Sequence, residues 1–174
     1  MKRSGIVAVA VMSLGIVGVV LLSGRDVVAQ QGSLKERLVG TWRIASVDNV
    51  RDDGSKVEAF GPNPKGIVIY TADGHFALWI ARSSLPKFAS SNRDKGTPEE
   101  NKAVVEGSIA YFGTYSVNEA DKVITAHIEG STFPNFDGTS QKRLVTSLTA
   151  DELRFINPAP STGGTLQLVW KRAK

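Results

Sequence analysis

The chain has 174 residues with 21 basic and 17 acidic side chains, and its formal net charge is +4. This small surplus is spread along the sequence without a basic run interleaved with aromatic residues, so the composition argues against nucleic-acid binding. The sequence has no cysteine, which excludes disulfides, a cysteine-based zinc site, a thiol nucleophile and lipid attachment through cysteine.

The first 29 residues have the pattern of a signal peptide. Lys2 and Arg3 form a short basic start, residues 6–22 are almost wholly apolar, and small residues precede a cleavage site before Gln30. An uncleaved anchor is the alternative, because about 17 apolar residues can just cross a bilayer. The sequence therefore predicts a periplasmic or secreted bacterial protein with one domain over residues 30–174. Membrane contact is expected only through an uncleaved segment, which would anchor the domain to the inner membrane.

The predicted domain begins with one helical turn. Residues 33–36 (Ser-Leu-Lys-Glu) have the form of a capping box, in which the hydroxyl and the carboxylate accept hydrogen bonds from backbone N–H groups. The turn is expected to end near Leu38. The hydrophobic period then changes to two, which places Trp42, Ile44 and Ser46 on one face of a strand.

Eight further runs of β-prone residues follow, which brings the expected total to about nine strands. The clearest hairpin joins residues 66–71 to 75–82 through Asp73-Gly74, a pair that favours positive φ. The other runs cover residues 57–60, 108–117, 122–129, 141–148, 152–157 and 165–172. Short connections favour a meander, and closing a meander removes its edges. The pattern predicts an all-β, antiparallel up-and-down barrel of about 8–10 strands, with a two-sheet sandwich as the alternative.

One helix is expected to interrupt the strands near residues 98–106. Thr97 can cap it, Pro98 suits the first helical position, Glu100 completes a second capping box, and Gly107 ends the run. The polar stretch of residues 83–96 before this helix is interpreted as a surface loop over the mouth of the barrel.

A series of motifs runs through the chain in a fixed order. It comprises LVGTWR at 38–43, GIVIYT at 66–71, YFGTY at 111–115, HIEG at 127–130 with Phe133-Pro134-Asn135, Gly138, Gln141 and Arg143 after it, and LVWKR at 168–172. Over residues 36–172 this series resembles the bacterial lipocalin-like domain family of calycin-type barrels. The resemblance implies a barrel with a small-molecule cavity and no particular reaction. It also implies that Trp42 packs at the closed end against Lys171 or Arg172.

Five polar side chains are candidates for contacts with a ligand, namely Tyr70, Tyr111, Tyr115, His127 and Arg143. If both of their strands turn them inward, His127 and Arg143 converge in the cavity. A planar guanidinium suits a carboxylate or a polarised oxygen, and a histidine exchanges protons near neutral pH. The alternatives are an ion pair of Arg143 with Glu129, exposure of both residues to water, and ordinary core packing of the tyrosines.

The favoured function is an exported protein that binds a small hydrophobic molecule in its barrel. A barrel enzyme of isomerase, cyclase or hydrolase type, with His127 as acid or base and Arg143 stabilising negative charge, is one alternative. A non-catalytic interaction protein with a filled barrel is another. The sequence has no nucleophile elbow, phosphate loop or dinucleotide fingerprint, and it has only two histidines. It therefore predicts no catalytic residue, no metal and no cofactor.

Overall fold

A computed structural model describes residues 32–174. The predicted signal peptide of residues 1–29 lies outside the described residues. From residue 32 onward, no helix combines the length and the apolar character needed to cross a bilayer.

The described part of the chain contains nine antiparallel strands, two α-helices and two short 3-10 helices, Arg93–Lys95 and Pro134–Phe136. The strands are β1 (Gly40–Val50), β2 (Lys56–Glu58), β3 (Lys65–Tyr70), β4 (His75–Ala81), β5 (Ser108–Asn118), β6 (Val123–Ser131), β7 (Ser140–Leu148), β8 (Glu152–Asn157) and β9 (Thr165–Arg172). The α-helices are α1 (Leu34–Leu38), before β1, and α2 (Pro98–Gly107), between β4 and β5. Each of the predicted strand runs after the first ends within two residues of an observed strand end.

The sheet closes into a barrel because β1 pairs with two strands that are distant from each other in sequence. Residues 40–43 pair with β3, whereas residues 42–50 pair with β9. From β3 to β9 each strand pairs with its neighbour in sequence, and β2 is a short addition to the second half of β1. The result is an eight-stranded antiparallel barrel, which confirms the predicted up-and-down topology over the sandwich.

Both helices begin at capping boxes, as predicted. The Ser33 hydroxyl accepts a hydrogen bond from the Glu36 N–H at 3.1 Å, and the Glu36 carboxylate accepts one from the Ser33 N–H at 2.9 Å. Thr97 and Glu100 repeat the arrangement at 3.2 and 2.9 Å. These contacts satisfy N–H groups that have no partner within the first turn of a helix.

The end of the barrel next to α1 is filled by its own side chains. Leu38, Trp42, Leu153 and Trp170 are each fully buried there. The Trp42 indole N–H donates to the Leu38 carbonyl oxygen at 2.9 Å, which ties α1 to the core. Large buried side chains therefore occupy this half of the barrel.

Arg172 meets Trp42 at this end, and Lys171 does not. The guanidinium carbon of Arg172 lies 4.0 Å from the centroid of the Trp42 ring. Its N–H groups also donate to three backbone oxygens, those of Arg37 at 2.6 Å, Val39 at 3.0 Å and Ala150 at 2.6 Å. Lys171 faces outward, where its Nζ lies 2.5 Å from a carboxylate oxygen of Glu152.

Three β-bulges interrupt the strand pairing. Between β5 and β6, Phe112 pairs with Gly130 and Gly113 with Ile128, so that Glu129 of β6 is unpaired. In β1 the register shifts between Ile44 and Ser46, so that Val47 takes the next inward position. In β7 the register shifts between Val145 and Ser147. Because the bulge in β1 adds one unpaired residue to that strand, the prediction that Ser46 shares a face with Trp42 and Ile44 is wrong.

Candidate functional site

A cavity of about 90 Å³ lies at the end of the barrel remote from α1. Much of its wall is apolar and includes Val47, Phe60, Ile80, Ile109, Phe136 and Leu168. Pockets for drug-sized ligands usually have volumes of about 300–1,000 Å³. This cavity therefore accommodates a very small molecule, or one end of a larger molecule.

Arg143 is a buried charged side chain in the cavity wall. It is 4% exposed and faces inward from β7 opposite the fully buried Ile124. Its Nη2 donates to the Tyr111 hydroxyl at 3.1 Å and its Nη1 to the Lys142 carbonyl oxygen at 2.8 Å. Within residues 32–174 no carboxylate lies within 4.0 Å of it, so the alternative of an ion pair with Glu129 does not form. In this part of the chain, the Arg143 guanidinium thus has no carboxylate in contact with it.

Asn157 is a second buried polar side chain of the cavity and was not among the predicted contacts. It is 7% exposed and lines the same cavity as Arg143, from the strand that pairs with β7. Its Oδ1 accepts a hydrogen bond from the Ala159 N–H at 3.2 Å, which leaves Nδ2 as a donor. Alternation along residues 152–157 was the signal that could have identified it as inward-facing.

The three predicted tyrosines are divided between the cavity and the core. Tyr111 lines the cavity and contacts Arg143. Tyr70 and Tyr115 pack together nearer α1, with their ring centroids 5.0 Å apart in an edge-to-face arrangement, and the Tyr115 hydroxyl donates to the Thr71 carbonyl oxygen at 2.8 Å. Burial raises the pKa of both phenols, so both stay neutral near pH 7. Tyr70 and Tyr115 therefore act as core residues, and Tyr111 remains in the candidate site.

His127 lies on the outer face of the barrel. In β6 the inward positions are the apolar alternate residues from Ile124 to Ile128, which places His127 outside. It is exposed, and its Nδ1 lies 3.3 Å from the Ser140 hydroxyl. The predicted convergence of His127 with Arg143 is wrong, because hydrophobic burial determines which face of a strand turns inward.

The rim of the cavity carries further polar groups. Glu106, near the end of α2, and the hydroxyls of Ser161 and Thr162 lie there. The Glu106 carboxylate is 3.8 Å from Nζ of Lys102 on the same helix. Helix α2 therefore contributes Glu106 to the mouth of the cavity.

The described residues bring together no metal-binding cluster. From residue 32 to the end of the chain, no three His, Asp or Glu side chains are placed to share an ion. His75 lies at the exposed hairpin, where its Nδ1 is 3.3 Å from an oxygen of Asp73. In the cavity itself, hydrogen-bond donors project from an apolar wall, an arrangement that suits an anionic or carbonyl oxygen.

Comparison with known proteins gives one family. A model described as a lipocalin-like domain matches residues 39–173. No curated protein matches the chain. Among solved structures, a redesigned β-barrel is 15% identical, covers 82% of this chain and 100% of its own, and has a TM-score of 0.43. A de novo designed fluorescence-activating β-barrel is 14% identical, with 82% and 99% coverage and a TM-score of 0.40. Because the family model spans most of its length, the chain belongs to the lipocalin-like domain family.

Proposed function

We propose that this protein binds a small hydrophobic molecule at the end of its barrel remote from α1, with Arg143 and Tyr111 as polar contacts. The observation that carries the proposal is a buried guanidinium, with no carboxylate within 4.0 Å among the described residues, in the wall of a largely apolar cavity. Burying a charge without a partner costs several kcal/mol, so an arginine that served only stability would be expected to have a carboxylate beside it. Few polar groups in an apolar wall are also the usual composition of a ligand site.

The cavity volume limits how much of a ligand enters. About 90 Å³ is available, whereas an engineered cavity of about 150 Å³ holds one benzene molecule. A polar group with a short apolar piece fits inside, and the remainder would lie against Phe60 and Pro160 at the mouth. The filled-barrel alternative therefore describes the half of the barrel next to α1 and not the other half.

The geometry favours binding over the enzyme alternative. That alternative required His127 and Arg143 to act together, and the two side chains lie on opposite faces of the barrel wall. Without an acid–base pair in the cavity, the donors around it can hold and orient a molecule. We therefore propose a non-catalytic binding role.

We further propose that residues 1–29 direct the domain to the periplasm or out of the cell. The support is the basic start, the apolar run and the small residues before Gln30. Fractionation of a bacterium that expresses the full chain, followed by amino-terminal sequencing of the mature protein, tests this. A chain that begins at or near Gln30 in the periplasm or medium is expected, and an uncleaved cytoplasmic chain would refute export.

Native mass spectrometry of the full chain purified from its host tests the binding proposal. A mass increase from one bound small lipophile is expected for the wild type. The same increase is expected for the control variant Phe112→Ala, because Phe112 is exposed on the outer face. Phe60 lies at the mouth of the cavity, and Phe60→Ala is expected to reduce the fraction of protein that carries the bound molecule by at least four-fifths. The proposal fails if the wild type carries no adduct and neither octanoate nor 1-octanol binds to it.

A further inference from the structure

We propose that the ligand is a carboxylic acid that enters the barrel carboxylate first and binds as the anion. This inference rests on the proposed binding at the end remote from α1, and it adds the charge and the orientation of the ligand. It is carried by the donors that converge on the cavity from β5, β7 and β8.

The buried guanidinium of Arg143 gives the site a positive charge. The Arg143 guanidinium is 4% exposed and lacks a carboxylate within 4.0 Å among residues 32–174. Two of its N–H groups have partners, the Tyr111 hydroxyl and the Lys142 carbonyl oxygen. Both partners are neutral, so they satisfy hydrogen bonds without neutralising the charge. An anionic oxygen in the cavity would supply the missing counter-charge.

Tyr111 and Asn157 add hydrogen-bond donors to the site. The Tyr111 oxygen accepts from Arg143 and so keeps its own O–H to donate. The Oδ1 of Asn157 accepts a hydrogen bond from the Ala159 N–H, which leaves the Nδ2 group of Asn157 as a donor in the lining of the cavity that contains Arg143. A carboxylate has two acceptor oxygens and no donor, so it matches this set of donors better than an alcohol, which has one oxygen and a hydrogen of its own.

The shape of the cavity gives the orientation. Its donors lie on the inner wall, and its 90 Å³ admits little more than a head group and a few carbon atoms. The apolar side chains of Phe60, Ile80 and Ile109 also border it, so they can contact the chain of an acid whose carboxylate has reached Arg143.

Glu106 is the acidic side chain that faces an entering anion. It lies on the rim, is exposed to solvent and has Lys102 at 3.8 Å. Solvent and salt screen exposed charges strongly, whereas a buried guanidinium is screened much less. The attraction at Arg143 is therefore expected to exceed the repulsion at the rim.

Isothermal titration calorimetry of the wild type at pH 7.5 with octanoate, 1-octanol and acetate tests the inference. Octanoate and 1-octanol have chains of the same length, so their difference reports the carboxylate. Octanoate is expected to bind at least tenfold more tightly than 1-octanol and a hundredfold more tightly than acetate. Arg143→Met is expected to bring octanoate down to the affinity of 1-octanol, and Tyr111→Phe to weaken octanoate about fivefold.

Arg154→Met is the matched control, since Arg154 is an exposed arginine of β8 that pairs with Glu152 on the outer surface. It should leave all three affinities unchanged. Equal binding of octanoate and 1-octanol to the wild type would overturn the acid inference while leaving the proposed function intact. Acetate binding as tight as octanoate would instead overturn the hydrophobic part of the proposed function, because the apolar chain would then contribute nothing to affinity. If Arg143→Met does not fold, the wild-type ratio and Tyr111→Phe decide the question.

Discussion

Replacement of Arg172 by alanine tests how the filled end of the barrel is held together. This side chain covers the Trp42 ring at 4.0 Å and donates to three backbone oxygens in two segments. The first segment is the end of α1 with the residue that follows it (Arg37 and Val39), and the second is the β7–β8 turn (Ala150). Alanine leaves all three oxygens without this donor and exposes one face of the indole.

The expected cost follows from these contacts. Hydrogen bonds to a charged group contribute about 1.5–3 kcal/mol each, with exposed ones toward or below the lower limit. An exposed cation–π contact adds about 0.5–1 kcal/mol. The bonds to Arg37 and Val39 are partly buried and the bond to Ala150 is exposed. These contributions belong to one side chain and are less than additive. Arg172→Ala is therefore expected to lower the free energy of unfolding by about 3–5 kcal/mol, a large share of the roughly 5–15 kcal/mol of a typical domain.

Urea denaturation followed by tryptophan fluorescence measures this loss. With a slope of about 2 kcal/mol per molar urea, the midpoint should fall by roughly 1.5–2.5 M. Lys171→Ala is the matched control, because the neighbouring Lys171 makes only an exposed ion pair with Glu152 and should cost less than about 1 kcal/mol. Equal midpoints for the two variants would refute the assignment of Arg172 as the residue that holds this end.

Three further changes are predicted to have distinct outcomes. Gly113→Ala should destabilise the barrel by roughly 3 kcal/mol or more, because a Cβ there would lie 2.0 Å from the His127 carbonyl oxygen; a urea midpoint like that of the wild type would contradict this. Tyr115→Phe removes the hydrogen bond to Thr71 and should cost about 1 kcal/mol in the same assay, with a loss above about 3 kcal/mol pointing to another role. Hydrogen bonds from two basic neighbours lower the pKa of Glu152 to about 2 from 4.5, so its contribution to stability is complete above pH 4.5 and is lost as the pH falls toward 2. The wild type should therefore lose more stability than Glu152→Gln between pH 5 and pH 2.5, and parallel pH profiles would refute this.

The barrel was predictable because its signals are local and repeated. Turn residues separate runs whose side chains alternate, as between β3 and β4 at Asp73-Gly74, and each run is long enough for one strand. Capping boxes at Ser33 and Thr97 likewise determine where the two helices begin. The bulges at Ala45 and Thr146 could not be located in advance, because an extra residue in a strand leaves no clear mark in the alternation.

The site was only partly predictable from the sequence. Alternation divides the side chains of a strand into two faces, but it does not show which face points into the barrel. For β7 the inner face includes Arg143, as expected, but for β6 the apolar residues exclude His127 from it. The presence of isoleucines at 124 and 128 already favoured that outcome, since burying them stabilises the barrel more than burying the intervening polar residues. The volume of the cavity depends on how side chains from several distant strands pack together, which no single stretch of sequence reveals.

The packed half of the barrel has a consequence for exchange. Among the described residues, Trp42, Leu153 and Trp170 are buried in the half of the barrel next to α1. A bound molecule would therefore dissociate through the same opening by which it entered. A ligand chain too long for the cavity would project outward near Phe60 and Pro160. A second molecule could contact that part of the ligand before it dissociates. The dissociation rate of such a complex would then depend on the side chains around this opening, including Glu106, rather than on the depth of the barrel.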